Sequence, residues 1–252
     1  MTTTDRVQFV GHASLWITLD NRHFLVDTVF SERILGIFKR HSPIGIDLHN
    51  LPDVAALLVT HAHYDHLDIF SYKYFPQDKK IVSPDGLGAF IGRFLHNPLI
   101  ELNKWQTMEC SGVKITGVPA KHFGFRFSGL RYTKCLGFVL EGSKKTVYVA
   151  GDTGYGPHFR EIGEKFNIDI ACLPIGSYRP AWSMKSRHLN PEEALRAFND
   201  LKAKKMIPIH WGGFRLAMDK VNEPIEWLKK LITGKPVADS AAILQPGESI
   251  IL

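Results

Sequence analysis

The chain is poor in cysteine: only Cys110, Cys135 and Cys172 occur among 252 residues. Three scattered thiols build neither a disulfide framework nor a cysteine-based zinc site, and they fit a reducing compartment such as the cytoplasm. Long apolar runs are also missing. No stretch approaches the roughly 20 apolar residues that cross a bilayer as a helix. The opening residues, Met1-Thr-Thr-Thr-Asp-Arg6, lack the basic segment and apolar core of a secretory leader. There is no low-complexity tract, no short-period repeat and no basic run, so a disordered tail, a solenoid and an appended nucleic-acid module are not expected. Charge of one sign is not concentrated. Lys and Arg number 31 against 25 Asp and Glu, and the net +6 is spread along the chain. Such a surface is solvated, with a mild pull on anionic substrates or membranes.

What is present is ordinary in bulk. Hydrophobic residues make up 44% and charged residues 22%. That composition and length suit a sizeable core, read here as one domain over residues 1–252. Histidine is the exception, at twelve residues. It is the commonest metal ligand among side chains.

Short apolar segments at 7–10, 14–18 and 24–26 are separated by turn residues and predict a strand meander. Residues 27–50 read as irregular, with an apolar-basic stretch at 34–40. Residues 55–59 predict a buried strand. Leu87, Phe90, Ile91, Phe94 and Leu95 recur at helical spacing. Further strands are expected at 113–118, 136–140, 146–149, 170–173 and 206–209, and a closing strand at 249–252. Asn190-Pro191-Glu192-Glu193 is a helix start: a capping amide, proline in the first turn and acid against the helix dipole. A last helix is expected over 223–231. Strands dominate and helices punctuate them, which predicts two packed sheets covered by helices.

The strongest signal is Thr60-His61-Ala62-His63-Tyr64-Asp65-His66-Leu67-Asp68, an H-x-H-x-D-H pattern directly after a predicted strand. Alternate residues leaving a strand point the same way, so His61 and His63 can grip one ion. Asp65 and His66 sit in the turn and can face a second. One loop cannot complete two sites, since zinc takes three or four protein donors at each. Three more candidates stand just past apolar strands: His122, Asp152 and His210. Asp68 and Thr60 are candidates for hydrogen-bonding a ligand histidine. His12 divides evenly between a role beside the site and a place in the core.

These residues resemble the metallo-β-lactamase superfamily, an αββα sandwich in the α/β class. Further blocks narrow the resemblance. Val10-Gly-His-Ala-Ser14, His63-Tyr-Asp-His-Leu-Asp68, Pro119-Ala-Lys-His122, Gly151-Asp-Thr-Gly-Tyr155, Pro174-Ile-Gly-Ser-Tyr178, His188-Leu-Asn-Pro-Glu-Glu-Ala194 and Ile209-His-Trp-Gly212 look like the N-acyl-phosphatidylethanolamine phospholipase D branch. The resemblance implies two divalent metal ions, zinc first, with manganese or iron as alternatives. It places His61, His63 and His122 on one metal, Asp65, His66 and His210 on the other, and Asp152 across both. It further implies a hydroxide shared by the metals as nucleophile, with Asp65 and His188 in the catalytic machinery and His188 touching substrate phosphate or leaving group.

The expected reaction is phosphodiester hydrolysis on a small-molecule or lipid anionic substrate. The alternative is a sugar-phosphate lactonase or another ester hydrolase of the same fold. The subclass of β-lactam enzymes with a cysteine ligand has cysteine where Asp152 stands, and the di-iron members have glutamate where His63 stands. The 34–40 stretch is a candidate for transient membrane contact. The aromatic-basic segment 123–133 is a candidate for the substrate entrance, with Arg126 or Arg131 holding an anion, and its composition equally suits simple hairpin packing. Tyr178, Arg179 and Trp182 are candidates of the same kind. No nucleic-acid partner is expected, and a homo-oligomer stays open.

Overall fold

The computed structural model describes residues 4–126 and 130–252, and the side chains of residues 130–132 lie outside that description. β1 (Arg6–Gly11), β2 (Ser14–Leu19) and β3 (Arg22–Val26) form the expected antiparallel meander. The turn between β2 and β3 places Asp20 at φ 50° and Asn21 at φ 61°. Two left-handed residues match the twist of a tight hairpin, and Asp and Asn tolerate them better than most side chains. Within the stretch read as irregular, the structure adds a small hairpin of β4 (Arg33–Ile34) and β5 (Phe38–Lys39).

β6 (Ala56–Leu58), β7 (Lys80–Pro84), α1 (Gly88–Ile91) and β8 (Leu99–Leu102) follow. A 3-10 turn, Ile69–Tyr74, lies between β6 and β7. The first sheet runs β17-β1-β2-β3-β6-β7-β8, with β3, β6, β7 and β8 parallel. The second sheet takes β9 (Thr107–Cys110), β10 (Val113–Pro119), β13 (Leu136–Glu141), β14 (Thr146–Val149), β15 (Ile170–Pro174) and β16 (Lys205–Ile209), in the order β16-β15-β14-β13-β10-β9. A side hairpin of β11 (Gly124–Arg126) and β12 (Leu130–Thr133) leaves it between β10 and β13. β17 (Ser249–Ile251) closes the first sheet against β1.

Side chains alternate across each strand, and this builds the layers. Leu15, Ile17 and Leu19 of β2, Phe24 and Val26 of β3, and Ala56 and Leu58 of β6 join Phe138, Leu140 and Val149 of the second sheet in one buried cluster. Trp16, Leu25 and Leu57 point the other way, into a second cluster with Leu87, Phe90 and Ile91. The helical spacing of 87–95 therefore has a physical basis, but the helix stops at Ile91, short of the expectation. α2 (His158–Lys165), α3 (Ala181–Met184), α4 (Pro191–Leu201) and α5 (Glu223–Ile232) follow β14, β15 and β16. α4 packs on β15, α2 and α5 through Ala194, Ala197, Phe198 and Leu201. Its start is the expected one. Asn190 accepts from the Glu193 amide at 2.9 Å while the Glu193 carboxylate accepts from the Asn190 amide. The result is two sheets face to face with helices outside, an α/β sandwich. The ends of β3, β6, β14 and β16 meet at one edge of it, the usual place for a site in such sheets.

Candidate metal centre

The loop after β6 is fixed before its ligands are. Asp27, directly after β3 at φ 51°, is fully buried. Its Oδ1 accepts from the Thr60 amide at 2.8 Å, and its Oδ2 accepts from Thr60 Oγ1 at 2.7 Å and meets His66 Nδ1 at 2.6 Å. Thr60 Oγ1 also lies 3.0 Å from His61 Nδ1, in keeping with its expected part. Gly151, at φ 60°, precedes Asp152, and a Cβ there would lie 2.7 Å from Thr60 Cβ. Only glycine lets the turn after β14 close onto the loop after β6.

The seven residues singled out by spacing come together in two clusters. In the first, His61 Nε2 stands 2.9 Å from His63 Nδ1, and His122 Nε2 stands 3.1 Å from the same His63 atom. Asp152 Oδ2 lies 3.8 Å from His61 Nε2 and 3.9 Å from His122 Nε2. In the second, Asp65 Oδ2 is 3.1 Å from His210 Nε2 and 3.5 Å from His66 Nε2. Asp152 Oδ1 is 3.2 Å from His210 Nε2 and 3.4 Å from His66 Nε2. The two carboxylate oxygens of Asp152 thus face different clusters.

These spacings test whether a metal fits. Donors about 2.0–2.2 Å from a tetrahedral ion lie about 3.3–3.6 Å apart, and the second cluster, at 3.1–3.5 Å, overlaps that range. Among the described residues, His66 Nε2 and Asp152 Oδ1 are buried with no hydrogen-bond partner. Orphan lone pairs of this kind are costly unless something electropositive meets them. The ligand rings are also anchored from behind: His66 by Asp27, His61 by Thr60 and His122 Nδ1 by the Arg187 carbonyl at 3.0 Å. The residues present therefore fit divalent cations held by nitrogen and oxygen.

Electrostatics agree at the first cluster. Burial pushes His61 well below the usual imidazole range, with His66 beside it adding to the effect. Burial likewise takes His122 down to about 3 and His188 to about 4. Neutral imidazole is the form that binds metal. Burial alone would raise the carboxyl groups. Instead His66 holds Asp65 well below the usual range, and His210 does the same for Asp152. His66 and His210 are opposite in sign: burial lowers both, but Asp152 and Asp65 outweigh it, with Asp27 adding to His66, so His66 lies well above and His210 above the usual value, charge that a cation held by the same carboxylates would displace.

Several expectations change at this point. Asp68 touches no ligand histidine. Its Oδ2 accepts from Ser31 Oγ and Ser71 Oγ, both at 2.5 Å, and so ties the 3-10 turn to the loop after β3. The ligand-orienting carboxylate is Asp27, which spacing alone did not single out. Arg126 lines the cavity beside Phe70 and Phe90, but its main observed partners are within the protein. It is buried, and its Nη1 donates to the carbonyls of Ala62 and Leu67 at 2.9 and 2.8 Å, with the guanidinium 3.9 Å over the Tyr64 ring. The side chain of Arg131 lies outside the described residues. His12 is buried at the site, with Nε2 3.0 Å from Asp65 Oδ2. His188 Nδ1 lies 3.7 Å from Asp152 Oδ2 and has no hydrogen-bond partner.

A cavity of about 230 Å³ opens over the cluster, lined in part by Asp65, Asp152, Ser177, His188 and His210. It adjoins two larger ones. One, of about 540 Å³, shares Ile34, Leu35 and Tyr64 and is walled by Ile69, Phe70 and Phe90. The other, of about 630 Å³, shares His188 and includes Tyr178, Arg179 and Lys185, while Trp182 points into solvent. Five non-glycine residues at these openings or behind the clusters hold positive φ: Leu35, Ser177 and His210 line a cavity, and His12 and Asp27 are buried. Such conformations cost about 1–3 kcal/mol each and collect at functional sites.

A family model described as a beta-lactamase superfamily domain matches residues 22–211. The chain belongs to the metallo-β-lactamase superfamily. Within it, the chain is 35% identical over 248 residues to the N-acyl-phosphatidylethanolamine-hydrolyzing phospholipase D 1 of Caenorhabditis elegans, covering 90% of this chain and 69% of that one. It is 29% identical to a metal-dependent hydrolase of Methanopyrus kandleri over 97% of this chain and 98% of the other. Among solved structures, an isothiocyanate hydrolase from Delia radicum gut bacteria superposes with a TM-score of 0.80 at 19% identity, covering 98% of each chain. At that identity the likeness shows the fold. The superfamily member described here is a metal-dependent hydrolase of the phospholipase D-like branch.

Proposed function

We propose that this metallo-β-lactamase-fold hydrolase is a phosphodiesterase of the N-acyl-phosphatidylethanolamine phospholipase D type, working with two divalent cations, zinc in the first instance. The observation that carries the reading is Asp152, whose Oδ1 and Oδ2 face two separate clusters of nitrogen and oxygen donors. His61, His63 and His122 would hold one cation, and Asp65, His66 and His210 the other. A donor set of imidazole and carboxylate without thiolate suits zinc, and manganese and iron accept the same atoms. Divalent cations bound there supply Lewis-acid stabilisation of a charged phosphoryl group and lower the pKa of nearby water.

The protein's own part is binding, orientation and proton placement. Asp65, held ionised among three imidazoles, keeps negative charge at the second cluster. His188 Nδ1 stands free at the cavity wall, placed to hold a proton against a phosphoryl or leaving-group oxygen. The adjoining apolar cavity offers room for the hydrocarbon part of an amphiphilic substrate. Exposed Leu35, Phe70 and Phe94 line it, and Ile37, in the same hairpin as Leu35, is exposed too. At the base of the β4–β5 hairpin, Arg33 faces Lys39 across the pair, and neither has a salt bridge among the described residues. Unpaired like charges beside an apolar tip favour transient contact with an anionic membrane surface. No helix among the described residues is long and apolar enough to cross a membrane. The three cysteines are free and buried, which supports a reducing, cytoplasmic setting.

The test is metal content by plasma mass spectrometry, paired with turnover of an N-acyl-phosphatidylethanolamine, bis-p-nitrophenyl phosphate and a sugar-phosphate lactone. About two metals per chain with turnover of both phosphodiesters is the expected result. Turnover of the lactone alone would replace the reading with the lactonase one. Absence of bound metal after metal-replete purification would remove it.

A further inference from the structure

His12 has no task in the chemistry proposed above, although the structure spends a strained backbone on it. It directly follows β1, at φ 56°, and is 1% exposed. Its carbonyl accepts from the His210 amide at 2.7 Å, and its ring lies 4.2 Å from the His210 ring centroid and 5.2 Å from that of Phe214. A Cβ on Gly213 would stand 2.5 Å from His12 Cβ, so that glycine leaves the room the ring needs.

Two roles compete for its Nε2, which lies 3.0 Å from Asp65 Oδ2: metal donor, or hydrogen-bond donor to the carboxylate. Geometry separates them. His66 Nε2 and His210 Nε2 each lie within 3.5 Å of both carboxylates, Asp65 and Asp152. The ion-pair contact of His12 is with Asp65 alone. His12 thus stands on the outer flank of the cluster. Asp65 has His12 and His210 as its side-chain hydrogen-bond partners among the described residues. Once His210 turns its lone pair to a cation, His12 is the remaining donor on that carboxylate.

We propose that His12 is a positioning residue: its Nε2–H holds Asp65 Oδ2 in place and so sets the affinity of the second metal position apart from the first. This rests on the metal reading of Asp65. The test uses the full chain stripped of metal and titrated with Zn²⁺ against a chromophoric chelator, with Co²⁺ absorption as a second readout. Wild type should take up two equivalents. His12→Ala should weaken one of them by about 10- to 100-fold, the usual effect of losing a ligand's hydrogen-bond partner, and leave the other in place. His12→Gln keeps an N–H donor and should recover most of that loss. If the alanine variant does not fold, the glutamine variant against wild type carries the comparison. The Co²⁺ spectrum of the saturated alanine variant should keep its wild-type intensity, because no coordinating nitrogen is gone. An unchanged titration, equal weakening of both equivalents, or no rescue by glutamine overturns the assignment. A changed Co²⁺ intensity makes His12 a ligand and also overturns it. Wild-type protein that takes up no divalent cation removes the metal reading itself, a result separate from any difference between variants.

Discussion

Asp152 and His188 sit 3.7 Å apart, yet they should fail in different ways when replaced. Asp152 offers one oxygen to each donor cluster, so Asp152→Ala should abolish turnover and lower content of both metals. Near-normal activity in that variant would contradict a shared centre. His188→Ala should keep metal content close to wild type while kcat falls about 10²- to 10⁴-fold, the range for a lost proton-holding group. Loss of metal in that variant would make His188 a ligand instead. Both residues are legible in the sequence, Asp152 from its place just past an apolar strand and His188 from its conspicuous block. Asp27 obeys the same strand-end rule after β3, but its partners Thr60 and His66 reach it only once β3 and β6 pair side by side. Asp68 shows the converse. Nearness along the chain to His66 does not bring contact, because the first turn after the loop swings its carboxylate to Ser31 and Ser71.

Elements with an apolar run or a helix-start signature are the ones the sequence predicts: β1 to β3, β6, β10, β13 to β17, α4 and α5. Less legible ones lack such marks. α2 starts after Pro157 with no side-chain cap, and β7 and β8 are short strands with turn residues close by. The β11–β12 hairpin is one of the two readings that residues 123–133 allow, but the tie Arg126 makes at a distance is not legible. Arg126 bonds the carbonyls at both ends of the segment carrying His63, Asp65 and His66. Arg126→Met should leave Ala62 and Leu67 carbonyls unpaired and cost roughly 2–4 kcal/mol, from two bonds to a charged donor, read as a shift in urea midpoint. Arg126→Lys should recover part of it, and full stability in the methionine variant would rule out the clamp. At the start of α2, burial takes His158 down to about 4, with Lys121 and Lys104 adding to it. Its folded pKa is depressed, so its contribution is present above the unfolded value near 6.5 and is lost as pH falls from there toward about 4. The difference in urea stability between wild type and His158→Gln should therefore narrow, by up to roughly 3 kcal/mol, between pH 7.5 and 4. A difference independent of pH would refute the sign.

At the scale of the whole molecule, the donors are split between the sheets. His61, His63, Asp65 and His66 leave the first sheet after β6, whereas His122, Asp152 and His210 leave the second after β10, β14 and β16. Each cluster mixes the two sources: His61 and His63 with His122 and Asp152, and Asp65, His66 and the neighbouring His12 with His210. A cation in either position would therefore cross-link the sheets at the edge where the interior cluster of Phe24, Val26, Phe138 and Val149 ends. Binding only to the folded chain stabilises it by RT ln(1 + [L]/Kd), about 4 kcal/mol at a thousandfold excess over Kd. For a chain of this length each kcal/mol moves the melting temperature by about 2–4 °C. Chelation should then lower the melting temperature by roughly 8–16 °C for each position emptied and keep a single calorimetric transition, because the interior cluster still joins the sheets. Two separated transitions after chelation would show instead that the sheets hold together mainly through the metal, and that residues 1–252 do not unfold as one unit.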